Sequence, residues 1–297
     1  MKTTRLEFLN ALVATVAALS KGPLRTTLKD QAMFGSYISG FTPDFNAVKT
    51  MEGRLGKLLE IVSWFVSWGV EDIFSAGYLA SVGNRIPLIA VEPWSVSRAS
   101  VLNGSQDRWL RGQAEKAITY GKAVYIRPWH ESNSDWYDWS LDGRDGTPTE
   151  AINAWRHVVN LFRDAGATNV KFVFCINTHT VGGAAPSQYW PGSFYVDILG
   201  VDGYSWDQGA TSFDEVMADG YKTLTALDST LDVWVCETGC GEGRRKAAWI
   251  NAMFASARFP RFKGLSYFSL NSGRQDWSID SSAASLAAFK ANVRTTL

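Results

Sequence analysis

GKAVYIRPWHESNSDWYDWS, residues 121–140, is the stretch around which the chain can be organised. A run of β-formers, Ala123 to Ile126, breaks off into Arg127, His130 and Glu131, then into a loop crowded with Trp136, Tyr137 and Trp139. Core strands do not end this way for packing reasons, because charged groups are almost never fully buried unless paired. A carboxylate at a strand end, roofed by aromatic rings, is what a sugar-cleaving site requires. The remainder of the chain is then the scaffold that brings a second carboxylate to meet it.

Outward from this strand, strand and helix alternate eight times without a long structureless insert. Strands are expected at 33–37, 60–68, 86–91, 123–129, 170–176, 196–201, 232–236 and 264–270. Helices are expected at 45–58, 71–82, 106–120, 149–165, 213–227, 244–257 and 281–294, with only a short Pro/Gly-rich segment after the fifth strand. The strands are near-continuous apolar runs, as expected where helices cover one face and a core fills the other. Such alternation implies parallel pairing. Without a dinucleotide-type glycine fingerprint, it favours a closed (β/α)8 TIM barrel over an open doubly wound sheet. The 297 residues suit one such domain, which typically needs about 250.

The expected organisation is an N-terminal helical extension over 1–31 and a barrel domain over 32–297. Leu9, Leu12, Val13, Val16 and Leu19 recur at helical spacing, the mark of an amphipathic helix that docks on the barrel or on a protein partner. Lys2, Arg5 and the apolar run from Ala11 to Leu19 resemble a secretory signal, but Glu7 interrupts it and the signal is not convincing. No run reaches the ~18 apolar residues of a membrane span.

Lys plus Arg and Asp plus Glu both number 29, so the formal net charge is zero. A nucleic-acid partner would want a basic surplus, and none is expected. The 13 Trp, 10 Tyr and 16 Phe suggest a lined groove, since an indole N–H is costly to hide without a partner. Cys175, Cys236 and Cys240 are odd in number and lack metal-ligand spacing; buried thiols are expected. No His, Asp and Cys pattern implies a metal or other cofactor.

In a (β/α)8 barrel the active site lies at the C-terminal ends of the strands. Polar and aromatic residues accumulate there. Strand 3 ends in Glu92-Pro93-Trp94 and strand 4 in Arg127, His130 and Glu131. Strand 5 ends at Asn177 and His179, strand 6 at Asp202, Tyr204 and Trp206. Strand 7 ends in Glu237, and Trp277 follows strand 8. Glu131 and Glu237 are the expected catalytic pair, because glycosidic cleavage needs one carboxyl to protonate the departing oxygen and another to attack or to activate water. Strands 4 and 7 of such a barrel lie about 14 Å apart, which leaves roughly 6 Å between the carboxyls and does not decide the stereochemistry. Either glutamate could instead be salt-bridged, with Arg127 or Arg244 as partner. Glu92 could be a supporting hydrogen-bonder or a structural acid. Trp94, Trp136, Tyr204, Trp206 and Trp277 fall in rim loops as sugar platforms. Trp64, Trp155 and Trp249 are assigned to packing, and mid-helix His157 to no role.

The motifs RPWHESNSDWYDW, SFYVDILGVDGYSW and VWVCETG resemble glycoside hydrolase family 26, a β-mannanase-type clan of (β/α)8 barrels. The resemblance runs from about residue 33 to 280. It implies a retaining mechanism, with Glu131 as acid/base, Glu237 as nucleophile and Tyr204 holding the nucleophile. His130, Trp136, Trp94 and Trp277 match positions where the family binds the sugar beside the cleaved bond. Arg127, Asn177, Asp202 and Trp206 complete the expected substrate-binding set. Ser132 and Ser134 depart from the pattern, where mannanases commonly carry Met and Gly.

The expected function is therefore a retaining endo-β-glycosidase acting on a mannan-type or related β-glycan, or on a bacterial envelope glycan. Its place would be extracellular or on a virion. The alternative is a carbohydrate-binding or structural protein, such as a phage tail component, that keeps a hydrolase barrel without using it. An aldolase or deaminase would need a catalytic Lys or metal ligands at the strand ends, and the sequence places neither there.

Overall fold

Eight parallel strands close into one barrel in the computed structural model of the protein, which describes residues 26–38 and 44–294. The strands are β1 (Met33–Ile38), β2 (Ile61–Ser67), β3 (Ile86–Glu92), β4 (Val124–Pro128), β5 (Val170–Asn177), β6 (Ile198–Ser205), β7 (Val233–Cys240) and β8 (Phe262–Ser269). Each pairs with its sequence neighbour, and β1 closes the ring against β8 from Met33↔Gly264 to Ile38↔Ser269. Outside lie α1 (Leu28–Gln31), α2 (Phe45–Leu55), α3 (Ala76–Val82), α4 (Arg98–Leu102), α5 (Asp107–Tyr120), α6 (Pro148–Asp164), α7 (Phe213–Leu227), α8 (Lys246–Ala255) and α9 (Ala283–Asn292).

Local chemistry sets these limits. Thr147 and Glu150 form a reciprocal capping box at the start of α6, with Pro148 at its first position. The helix then buries Ala151, Ala154, Trp155, Val158, Val159, Leu161 and Phe162, the apolar stripe read from the sequence. Ser212 and Glu215 cap α7 in the same way. α3 begins five residues later than expected, because the preceding backbone is committed elsewhere. The Ser67 amide donates to Glu71 Oε2 (2.8 Å) and the Ile73 amide to Gln113 Oε1 (2.9 Å). The short α4 was not expected at all. After β5 the chain makes two single 3₁₀ turns, Pro186–Gln188 and Ser193–Tyr195, and aromatic rings do the covering: Trp190 and Tyr189 lie 5.0 and 5.3 Å from Phe174.

The expected amphipathic helix over Leu9 to Leu19 lies outside the described residues. α1 packs on the barrel: Leu28 is buried, its amide donates to the Ser256 carbonyl (2.7 Å), and Gln31 Nε2 donates to the Phe259 carbonyl (2.9 Å). Among the described residues no helix is long and apolar enough to cross a membrane.

Inside the barrel, strand alternation stacks side chains in layers. The lower interior is filled by an apolar cluster: Ile61, Leu88, Val173, Cys175, Ile198, Trp234 and Cys236. Trp234 lies against Gly264, where a Cβ would sit 2.6 Å from the indole. One step toward the C-terminal ends the interior turns polar, with Ser63 and Ser266 sharing a hydrogen bond (2.8 Å) and Arg127 meeting Asp202. Tyr37 and Phe65 lie above, packed with Phe268. This ordering lifts the chemistry to one end.

Candidate active site

At the end of β4 the backbone twice enters the left-handed region, at Trp129 (φ 51°) and Glu131 (φ 53°). Such conformations are uncommon for bulky residues and persist where the surroundings over-determine them. Here Trp129 turns outward onto Trp68 (4.9 Å between ring centroids). The Trp129 carbonyl accepts from Ser132 Oγ (2.8 Å), and the Glu131 amide donates to the Cys175 carbonyl (3.0 Å). Asn133 staples the loop to β5: its amide nitrogen donates to the Asn177 and His179 carbonyls, and its oxygen accepts from the Asn177 amide. Gly183 lets the following strap lie on this loop, since a Cβ there would be 2.8 Å from both Asn133 C and Ser134 O. Glu131 is thereby held at the groove wall, with its Oε2 accepting from Trp136 Nε1 (3.0 Å). Burial pushes its carboxyl well above the usual range, and the charges of Asp202 and Glu237 add to that.

Glu237 reaches the same space through a β-bulge. β6 and β7 pair Val201 with Val235, then Asp202 with Glu237, so Cys236 is an additional residue on β7. The opposite ladder agrees, stepping from Val235↔Leu265 to Thr238↔Tyr267. Because side chains alternate with period two, one extra residue changes the phase of everything after it. Cys236 therefore packs in the lower interior layer while Glu237, the next residue, lines the groove.

Arg127 organises the acids. Its Nη1 donates to Asp202 Oδ2 (2.8 Å) and its Nη2 to Glu237 Oε1. The other Glu237 oxygen accepts the hydroxyl of Tyr204. Burial works against the Arg127 charge, but Glu237 and Asp202 more than offset it, so the guanidinium stays cationic. Burial, with Glu237 nearby, pushes the Tyr204 phenol up and keeps it a donor. Both Glu237 oxygens are thus fixed by donors, while Glu131 is a carboxyl that favours its proton.

His130 Nε2 lies 3.3 Å from Tyr137 Oη and 4.0 Å from Glu92 Oε1. Burial and the Arg127 charge lower its pKa, leaving a neutral imidazole. Glu92 Oε2 accepts from Trp94 Nε1 (3.0 Å), and burial raises the Glu92 carboxyl to about 7. Ligand atoms of His130, Asp202 and Glu237 lie within 4.8 Å of one another. Arg127 already engages both carboxylates, and its fixed charge opposes a cation there.

A groove of about 1070 Å³ joins these groups. Glu131, Glu237, Trp94, Trp136, Asn177, Tyr204, Trp206 and Trp277 all line it, as does His179. Trp94 and Trp136 are each 45% exposed on one bank, and Trp206 is 61% exposed on the other. Trp277 is mostly buried and stands edge-on to Trp206, 4.9 Å between centroids. Arg127 and Asp202, expected at the strand-end rim to bind sugar, lie inside the barrel and are 0% exposed. Their partners are each other and Glu237, so they act beneath the groove. His130 is likewise nearly sealed, which leaves it to support neighbouring groups. Tyr137, from the aromatic loop after β4, also lines the groove, as do Tyr37, Phe65 and Phe268, which the sequence did not single out. Their strand phase was the available signal: Tyr37 follows inward Gly35, and Phe65 follows inward Ser63, by two residues.

A closed (β/α)8 barrel presenting two glutamates in an aromatic-banked groove has the build of the barrel glycoside hydrolases. Residues 100–284 match the sequence profile of Glycosyl hydrolase family 26, and the chain belongs to that family. It is 32% identical over 295 residues to Endoglucanase H of Acetivibrio thermocellus, covering 95% of this chain and 32% of that protein. It is 30% identical over 104 residues to the Mannan endo-1,4-beta-mannosidase of Bacillus subtilis, covering 33% of this chain and 28% of that protein. The chain thus spans about a third or less of the length of these relatives. Among solved structures, the YdhT protein from Bacillus subtilis superposes with a TM-score of 0.68 at 19% identity, covering 91% of this chain and 90% of that one. A Cellulomonas fimi endo-beta-1,4-mannanase double mutant gives 0.68 at 16% identity, covering 89% and 71%. At these identities the structural likeness bears on the fold alone.

Proposed function

We propose that this chain is a retaining endo-β-glycosidase that cuts internal linkages of a mannan-type polysaccharide. The carrying observation is the unequal support given to two glutamates in one groove: burial favours the protonated form of Glu131, whereas both oxygens of Glu237 accept hydrogen bonds, from Arg127 and Tyr204. In the first step Glu131 donates its proton to the glycosidic oxygen as that bond breaks. Glu237 attacks the anomeric carbon and forms a glycosyl ester. In the second, Glu131 takes a proton from water, the water oxygen attacks the same carbon, and Glu237 leaves as the carboxylate. Arg127 and Tyr204 stabilise, by hydrogen bonds, the carboxylate that Glu237 becomes again when the ester is hydrolysed.

The open groove, with exposed Trp on both banks, suits a polymer that continues past the cleaved bond in both directions. A polymer of that size is met outside the cytoplasm. Mannan is favoured by family membership and by the named activity of the mannosidase relatives. A β-glucan is the second reading, favoured by the match to Endoglucanase H along nearly the whole chain. Incubation with β-mannan and with β-glucan, followed by chromatography of the products, tests both. Release of short oligosaccharides by the wild type and not by Glu237→Ala is the expected outcome, and a folded protein that releases none from either refutes the proposal.

A further inference from the structure

Ser132 sits next to Glu131 and departs from the mannanase pattern, and its surroundings are elaborate. Its hydroxyl accepts from Arg98 Nη2 (3.0 Å) and donates to the Trp129 carbonyl (2.8 Å), which uses its one proton on the residue that begins the left-handed turn. Arg98 is 2% exposed and comes from the first position of α4, beyond β3. Its Nη1 donates to Asp145 Oδ2 (2.9 Å) and to the Asp145 carbonyl (2.8 Å), and its amide donates to Asp145 Oδ1 (2.9 Å). Its guanidinium carbon lies 5.8 Å from the Trp129 ring centroid. Arg98 therefore touches both the side chain of Trp129 and, through one hydroxyl, its backbone, immediately before Glu131. A buried ion pair is seldom worth its desolvation for stability alone, which directs attention to what the pair holds in place.

We propose that Arg98, anchored by Asp145 and acting through Ser132, is a positioning residue that fixes the left-handed Trp129–Glu131 turn and so aims the Glu131 carboxyl at the glycosidic oxygen. The inference rests on the acid/base reading of Glu131. Neither Arg98 nor Ser132 lines the groove, so neither meets sugar. Misaiming the acid matters where a poor leaving group must be protonated, and matters little where the leaving group departs unaided.

The test compares kcat/KM, which reports the first chemical step, for the polysaccharide and for a dinitrophenyl β-disaccharide of the same sugar. Arg98→Lys and Ser132→Ala are measured beside wild type and Glu131→Ala, with folding checked by circular dichroism. Both variants are expected to lose about 10²-fold on the polysaccharide, the scale of a misplaced catalytic group, and under about threefold on the aryl substrate. Glu131→Ala should show the same split in larger measure. Equal losses on the two substrates, or none on either, overturn the clamp while leaving the glycosidase reading intact. A wild type silent on both substrates instead defeats the glycosidase reading, and the clamp with it. If Arg98→Lys does not fold, Ser132→Ala alone decides, since it removes one hydroxyl and leaves the ion pair in place.

Discussion

Asp202 pairs with Glu237 across the β6–β7 ladder, one residue out of step with the Val201↔Val235 pair below it. That offset carries Glu237 onto the inner face at the height of Arg127, which binds both acids from beneath. Removing the cation should therefore strand two carboxylates at once. Arg127→Met is expected to lose about 3–5 kcal/mol of stability, the usual cost of breaking a buried pair. Burial already raises the Asp202 carboxyl, so its neutral form is the easier one to bury. The loss should then shrink in acid, where protonation removes the orphaned charge, and grow as pH rises. Urea denaturation at acidic and at neutral pH reads this directly, and a loss independent of pH would contradict it.

Tyr204 donates to the Glu237 oxygen that Arg127 leaves free. Tyr204→Phe keeps the ring, which packs 5.3 Å from Trp277, and removes only the hydroxyl. A fall in kcat of roughly 10–10²-fold with near-normal thermal stability is expected, as for a mispositioned nucleophile. Steady-state kinetics on the released oligosaccharides provides the check.

Trp136 donates to Glu131 Oε2, a bond that favours the ionised carboxyl and pulls its pKa down against the dominant effect of burial. Trp136→Phe removes that pull. In the proposed acid role Glu131 acts protonated, so the alkaline limb of the kcat/KM profile should move to higher pH in the variant. A limb that stays put, or moves lower, would mean that another group sets it.

Glu92 carries a carboxyl raised from 4.5 to about 7, chiefly by burial. A raised folded pKa contributes stability that is complete below the unfolded value and is lost as pH climbs through the folded one. Wild type should thus lose stability relative to Glu92→Gln between about 4.5 and about 7, by roughly 3 kcal/mol at most. Paired denaturation curves across that window test the sign.

Much of this architecture was legible in the sequence because apolar runs and capping residues are local signals. The Pro/Gly-rich segment after β5 correctly announced no long helix. β6 and β7 were expected to stop at 201 and 236, yet they run to Ser205 and Cys240. Their last turns carry Asp202, Tyr204 and Glu237, polar residues that read as loop but pair with each other across the two strands. The bulge left no mark, since Cys236 is as small and apolar as a regular strand residue. The depth of Arg127 and Asp202 was hidden for a related reason: alternation puts them inside the barrel, but only closure of the ring decides which layer meets solvent. Arg98 meets Asp145 across 47 residues, a contact no local pattern announces.

The central claim is that Glu237 forms a covalent bond with the sugar during turnover. An activated fluorosugar disaccharide, which slows hydrolysis of the glycosyl ester, should trap that species for peptide mapping by mass spectrometry. One sugar adduct per chain is expected, on the peptide containing Glu237, and none in Glu237→Ala. An adduct on another residue, or turnover of the natural polymer with inversion at the anomeric carbon and no adduct, would contradict it.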